Sequence, residues 1–101
     1  FTTKAAAVRQ IAGQVASTLA SARRPNLLSA KARKDGYKVL QDNAAKAKAV
    51  AADIDQLVSS IASATERSQL SAADAKLAEI KVDLNRLYGS SREAAAITDG
   101  Q

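Results

Sequence analysis

Alanine occupies 24 of the 101 positions, and this constrains the fold more than any other property of the sequence. Alanine is the best helix former because its side chain loses no rotamer entropy when a helix forms. The chain has one proline, Pro25, and no segment in which apolar and polar residues alternate as they do in a strand. The sequence therefore predicts an all-α fold with one core, in a single domain covering residues 1–101.

The predicted core is thin because alanine contributes little apolar surface. Burial stabilises by about 25 cal/mol per Å² of apolar surface, so a methyl group gains little. The three aromatic residues, Phe1, Tyr37 and Tyr88, do not make up this deficit. We therefore expect a marginally stable fold that gains stability from a partner.

Apolar side chains recur at spacings of three and four along the first two predicted helices. The first helix covers roughly residues 3–22 and ends before Pro25, which disfavours helix at the residue that precedes it. The second starts near Asn26, with Leu28 and Ala32 as its first apolar positions, and continues to about residue 62. Gly36 either kinks this second helix or breaks it in two, and both alternatives stay open.

The third predicted helix has the clearest apolar spacing. Ser71 is predicted to cap its start and Gly89 to end it, with a short tail helix over residues 92–97. Its apolar positions keep an alternating three-four spacing: Leu70, Ala73, Leu77, Ile80, Leu84 and Leu87. Short connections make neighbours antiparallel, so we predict an up-and-down bundle of three long helices, or four if the chain breaks at Gly36.

Most of the residue types that catalysis needs are absent. The chain has no histidine and no cysteine, which excludes imidazole and thiolate metal sites and the usual nucleophilic triads. Carboxylates such as Asp74 and Glu79 have lysine or arginine at helical spacing, which is typical of exposed ion pairs on a helix. The sequence predicts no catalytic residue, no cofactor and no metal site, and hence no enzyme.

Charge is distributed unevenly along the chain. Residues 1–48 carry ten basic and two acidic side chains, a net +8, whereas residues 49–101 carry five basic and eight acidic ones, a net −3. The residues predicted to form a basic docking patch are Arg23, Arg24, Lys31, Arg33, Lys34 and Lys38. Such a patch favours an acidic surface of a larger protein complex or of a membrane. The alternative is a merely solvated helix face.

The apolar runs are only a few residues long, so the sequence predicts no transmembrane segment and at most peripheral association with a membrane. The chain starts at Phe1 rather than at methionine. We therefore expect that residues once preceded Phe1, either as a removed targeting peptide or as a truncated end.

Residues 50–89 resemble the last two helices of the PsbQ-type extrinsic subunits of photosystem II. The family shows a similar order, with an Ile-Asp-x-Leu helix, a Lys/Ser-rich turn, an Ala-Glu/Asp-rich helix start and a terminal Leu-Asn-x-x-Leu, for which this chain has Leu84-Asn85-Arg86-Leu87. These correspond here to residues 53–57, 68–71, 73–76 and 83–87. The chain lacks the family's proline-rich N-terminal arm and the tryptophan of its earlier helices.

The resemblance implies a protein of the thylakoid lumen, processed at its N-terminus and docked by charge on the lumenal face of the membrane. Its implied role is to stabilise the oxygen-evolving centre of photosystem II and to help retain calcium and chloride, while binding neither metal nor pigment itself. The leading hypothesis is therefore a non-catalytic extrinsic subunit of a large complex.

Two other function classes stay open at this point. One is a structural or secretion-related helical assembly protein, phage-like or type VII-like, although Trp-x-Gly and Tyr-x-x-x-Asp signatures are absent. The other is a small basic nucleic-acid-binding protein. Nucleic acid is the weaker alternative because the basic patch has no aromatic stacking residues interleaved with it.

Overall fold

The computed structural model describes residues 1–99, which form three α-helices joined by two linkers. Helix α1 spans Thr2–Ser21, α2 spans Lys31–Ala62 and α3 spans Arg67–Asp99. Residues 1–99 contain no strand, and each helix packs against the other two. The predicted all-α bundle of three long helices is confirmed. The last two positions of the predicted domain, Gly100 and Gln101, lie outside the described residues.

The helices run up, down and up, so α2 is antiparallel to both of its neighbours. Arg9 of α1 pairs with Asp55 of α2 near one end, and the backbone of Arg23 contacts Asp99 at the other. The molecule is a rod 58 Å long and 16 to 17 Å wide.

The linker 22–30 covers one end of the rod because α1 is short. At 1.5 Å per residue, α1 with its 20 residues is about 30 Å long and α2 with its 32 residues about 48 Å. The linker therefore passes along the first turns of α2 and the last turns of α3, where α1 has already ended. We call this part of the molecule, residues 22–38 and 92–99, the linker end.

The apolar core lies away from the linker end, where all three helices meet. Each helix contributes small or aliphatic side chains to it: Ala5, Val8, Ala12 and Val15 from α1, Ala47 and Ile54 from α2, and Leu77, Ile80 and Leu84 from α3. The predicted spacing of α3 is confirmed at its centre, since Leu77 and Leu84 are buried. At the start of the predicted α3 pattern, Leu70 is 40% exposed.

Towards the linker end the contact between α2 and α3 becomes closer and more polar. The Asn43 amide donates to the Ser90 and Ser91 hydroxyls, both at 3.1 Å. Gly36 is buried against α3, where a Cβ atom would lie 2.6 Å from Thr98 Oγ1 and 3.1 Å from the Ala94 carbonyl oxygen. Helix α2 is therefore not broken at Gly36, whose missing side chain lets the two helices approach.

The predicted start of α2 near Asn26 was wrong, because the helix begins at Lys31. The Asn26 side chain accepts the Leu28 N–H, and the Ser29 hydroxyl accepts the Asn26 N–H, so these residues form a hydrogen-bonded turn. Short polar side chains compete with helical hydrogen bonds in this way. Leu28, which the spacing assigned to the helix, lies in this turn instead.

The predicted limits of the third helix also change. Helix α3 begins at Arg67 rather than after Ser71, because the Gln69 side chain accepts the backbone N–H groups of Thr65 and Glu66 just before it. It continues through Gly89 to Asp99. The predicted tail helix over residues 92–97 is therefore the last part of α3.

We predict that replacing Leu77 and Leu84 together with alanine unfolds the bundle. Each truncation removes a buried side chain and costs roughly 2–5 kcal/mol. Circular dichroism during thermal melting measures the loss. Val82→Ala is the control because Val82 is 56% exposed. A double variant that keeps its helicity and melting temperature would contradict this core.

We predict opposite effects for two glycine substitutions inside helices. Gly13→Ala raises the free energy of unfolding by about 0.5–1 kcal/mol, since apart from its own helix backbone no described atom lies within 4 Å of the added Cβ, and alanine favours helix. Gly36→Ala lowers it by about 1–3 kcal/mol, because the Ala94 carbonyl cannot rotate away from the new methyl group. Urea titrations of both variants measure the difference. If Gly36→Ala stabilised the protein instead, the close contact between α2 and α3 at this glycine would be refuted.

Candidate docking surface

Arg33 lies inside the fold, not on the surface where the sequence had placed it. The residue is only 5% exposed, and its guanidinium reaches three acceptors, two in the linker and one in α3. Nε donates to the Thr98 carbonyl at 2.6 Å, Nη1 to the Ser29 hydroxyl at 2.8 Å and Nη2 to the Arg23 carbonyl at 2.9 Å. The docking patch predicted from the sequence therefore keeps five exposed cations and not six.

The position of Arg33 has an electrostatic reason. Thr98 is in the last turn of α3, where carbonyl groups lack helical partners and the helix dipole is negative. A buried cation is stabilised there without a carboxylate. The Thr98 hydroxyl points back to the Arg33 carbonyl at 3.4 Å, which joins the two helices a second time.

The other five predicted patch residues, Arg23, Arg24, Lys31, Lys34 and Lys38, are exposed on the linker end. Two of them have acidic neighbours one turn further along α2: Lys31 pairs with Asp35, and Lys38 approaches Asp42 at 4.0 Å. These pairs are exposed and weak. The fold thus brings the cations of the linker and of α2 onto one end of the rod.

Lys34 and Arg24 have no acidic partner among residues 1–99. Lys34 Nζ donates to the Leu27 carbonyl at 2.9 Å, so its charge is held against the linker. Residues 22–38 carry six basic side chains and one acidic one, a net +5. The facing turns 92–99 of α3 add one basic and two acidic side chains, which leaves +4 for the whole linker end.

The first turn of α2 carries charges that a helix start disfavours. Its N-cap position is occupied by Ala30, whose methyl group accepts no hydrogen bond. The first four helical residues include Lys31, Arg33 and Lys34 and no acid. Because the dipole makes a helix N-terminus positive, these cations raise a potential that is already positive. The linker end is therefore well suited to attract anions.

Two leucines project from the linker end, which the apolar spacing of the sequence did not predict. Leu27 is 93% exposed and Leu28 is 96% exposed, next to the cations of the patch. The signal that would have found them is Pro25-Asn26, a turn-forming pair directly before an apolar pair. Two neighbouring leucines that contact almost nothing in their own fold need an explanation outside it.

The rest of the described chain offers little that resembles a site. Within residues 1–99 no three acidic side chains converge closely enough to hold a metal ion, and no helix is long and apolar enough to cross a membrane. A groove of about 310 Å³ lies between α1 and α3, and its charged lining residues are Lys4, Asp74 and Lys81.

Comparison with known proteins gives no relative from which a function could be transferred. No protein-family model, no curated protein sequence and no solved structure matches the chain.

We predict that Arg33 is needed for stability, unlike its exposed neighbour. Arg33→Met leaves the Thr98 and Arg23 carbonyls without their donor, and each buried polar group left unsatisfied costs about 1–3 kcal/mol. Arg24→Met, at an exposed position, changes stability by less than about 0.5 kcal/mol. Thermal and urea unfolding of the two variants measures this. Equal stability of both would show that the buried hydrogen bonds do not hold the linker.

Proposed function

We propose that this chain is a non-catalytic docking subunit of a larger complex, attached by its linker end to an acidic surface. The observation that carries the proposal is the collection of five exposed cations on that one end of the rod. Three of them, Arg23, Arg24 and Lys34, form no side-chain ion pair within residues 1–99. Long-range attraction by such a cluster orients a protein on an acidic partner before contact.

The composition of the linker end supports docking over a purely structural role. Lys31 and Lys34 stand at a helix start, where cations are unfavourable by about 0.3–1 kcal/mol each. Local choices that oppose folding stability are typical of functional sites. Beside an acidic partner, the charges of Lys31 and Lys34 would become stabilising. Binding would then stabilise the folded state, and folding would favour binding.

The resemblance of residues 50–89 to PsbQ-type subunits suggests which complex this is. The region forms an antiparallel pair of helices with the short turn 63–66 between them, as two consecutive helices of an up-and-down bundle would. On this proposal the chain lies in the thylakoid lumen, peripheral to the membrane, and stabilises the oxygen-evolving centre of photosystem II. It holds no ion itself.

We predict that binding to salt-washed thylakoid membranes depends on the linker end and weakens as salt is added. The variant Arg24→Gln/Lys31→Gln/Lys34→Gln loses about 3-fold to 150-fold in affinity, because three charge contacts of about 0.2–1 kcal/mol each are removed, about 0.6–3 kcal/mol together. Co-sedimentation measures affinity, and oxygen evolution after rebinding measures function.

The matched control is Lys46→Gln/Lys48→Gln/Lys76→Gln, which removes the same charge from exposed positions outside the linker end. It is expected to bind like the unmodified chain. Equal losses in the two triple variants would mean that net charge alone drives binding, and the proposal would be wrong. Tighter binding to duplex DNA than to the membranes would favour the nucleic-acid alternative instead.

A further inference from the structure

We propose that the acidic surface met by the linker end is an anionic lipid bilayer, and that Leu27 and Leu28 enter the boundary between its headgroups and acyl chains. This inference rests on the proposed function, because it assigns a partner to the same docking end. It adds an apolar anchor, two leucines, to a contact so far described by charge alone.

The leucines are held outward by a structured turn. The Ser29 N–H donates to the Asn26 carbonyl, and the Asn26 side chain accepts the Leu28 N–H at 2.9 Å. Arg33 and Lys34 then fix this turn to α2 through the Ser29 hydroxyl and the Leu27 carbonyl. Displaying Leu27 and Leu28 therefore requires little further ordering when a surface is met, which removes part of the entropic penalty of binding.

The combination of an apolar pair with cations fits a bilayer. Stable peripheral binding needs two signals, an apolar insertion and a basic patch that attracts anionic headgroups. Leu27 and Leu28 supply the first, and Arg24, Lys31 and Lys34 supply the second. Long basic side chains reach the headgroup level while their aliphatic stems and the neighbouring leucines go deeper.

The size of the end favours lipid over protein as the occupant. A stable protein interface buries about 800 Å² on each partner. The whole rod is only 16 to 17 Å wide, and the large exposed apolar side chains at or beside its linker end are Leu27, Leu28, Ile97 and Val39. Binding to a bilayer scales instead with the apolar area inserted and with the attraction to anionic lipids, so a small basic end with exposed leucines can bind.

Vesicle flotation tests the inference. We expect the chain to float with vesicles of equimolar phosphatidylcholine and phosphatidylglycerol and not with phosphatidylcholine alone. Leu27→Ser/Leu28→Ser lowers affinity for the anionic vesicles about tenfold or more. The control Leu70→Ser/Val82→Ser replaces two other exposed apolar residues, 40% and 56% exposed, and is expected to bind within about twofold of the unmodified chain. The Leu27→Ser/Leu28→Ser variant should show the unmodified melting temperature, because both leucines are almost fully exposed.

A tryptophan reporter tests insertion itself, because the chain contains no tryptophan. The Leu28→Trp variant should shift its fluorescence emission to the blue with anionic vesicles and not with neutral ones. Val82→Trp, on the exposed face of α3, should not shift. Emission from Leu28→Trp that stays unchanged with anionic vesicles would overturn the inference.

The two proposals fail in different ways. If the chain binds salt-washed thylakoid membranes through its cations but ignores anionic vesicles, the lipid inference is wrong and docking on a protein stands. The same conclusion follows if the Leu27→Ser/Leu28→Ser variant binds vesicles as tightly as the unmodified chain. If the triple glutamine variant at the linker end binds those membranes normally, the proposed function is wrong, whatever the vesicles show.

Discussion

The guanidinium of Arg33 holds together the end of the molecule on which its proposed function depends. Its three hydrogen bonds reach Ser29 and Arg23 of the linker and Thr98 of α3, while its backbone belongs to α2. Without α1 at this end, the fold has no third helix to cover α2 and α3. Because the end of α3 has free carbonyls and a negative dipole, a single cation both satisfies hydrogen bonds and fixes the linker. The display of Leu27 and Leu28 follows from this attachment.

Polar contacts add to the apolar core in setting the register between α2 and α3. Alanine side chains are small and alike, so sliding an alanine-rich helix by one turn changes its packing little. The Asn43 amide, however, finds the Ser90 and Ser91 hydroxyls in one alignment. A shift by one turn would bring it level with Leu87 or Ala95, where a buried amide without acceptors costs about 1–3 kcal/mol. Gly36 adds a steric condition, since its close contact with Thr98 and Ala94 also requires this alignment.

The sequence predicted what depends on local spacing and missed what depends on distant contacts. Apolar spacing gave three helices and the buried positions Leu77 and Leu84, because helical periodicity is a local property. From the sequence, Gly36 looked like a position that interrupts the helix. Its actual role depends on its close contact with α3, which local spacing does not reveal. Arg33 was counted with the exposed cations, although its acceptor Thr98 is 65 positions away. The sequence could have predicted the turn at Asn26 from the pair Pro25-Asn26, but the apolar spacing from Leu28 to Ala32 favoured a helix there.

The linker end is arranged against folding stability, which is the strongest physical reason to assign it a function. A stable start for α2 would have serine or aspartate in place of Ala30 and an acid in the first turn. Instead it has cations, and its i,i+4 pair from Lys31 to Asp35 has the less favourable order, with lysine first. Leu27 and Leu28 likewise contribute no burial to the fold. Each of these features becomes favourable beside an anionic, partly apolar surface. Because one buried arginine stabilises the same end from within, the chain can carry this unfavourable surface and still fold.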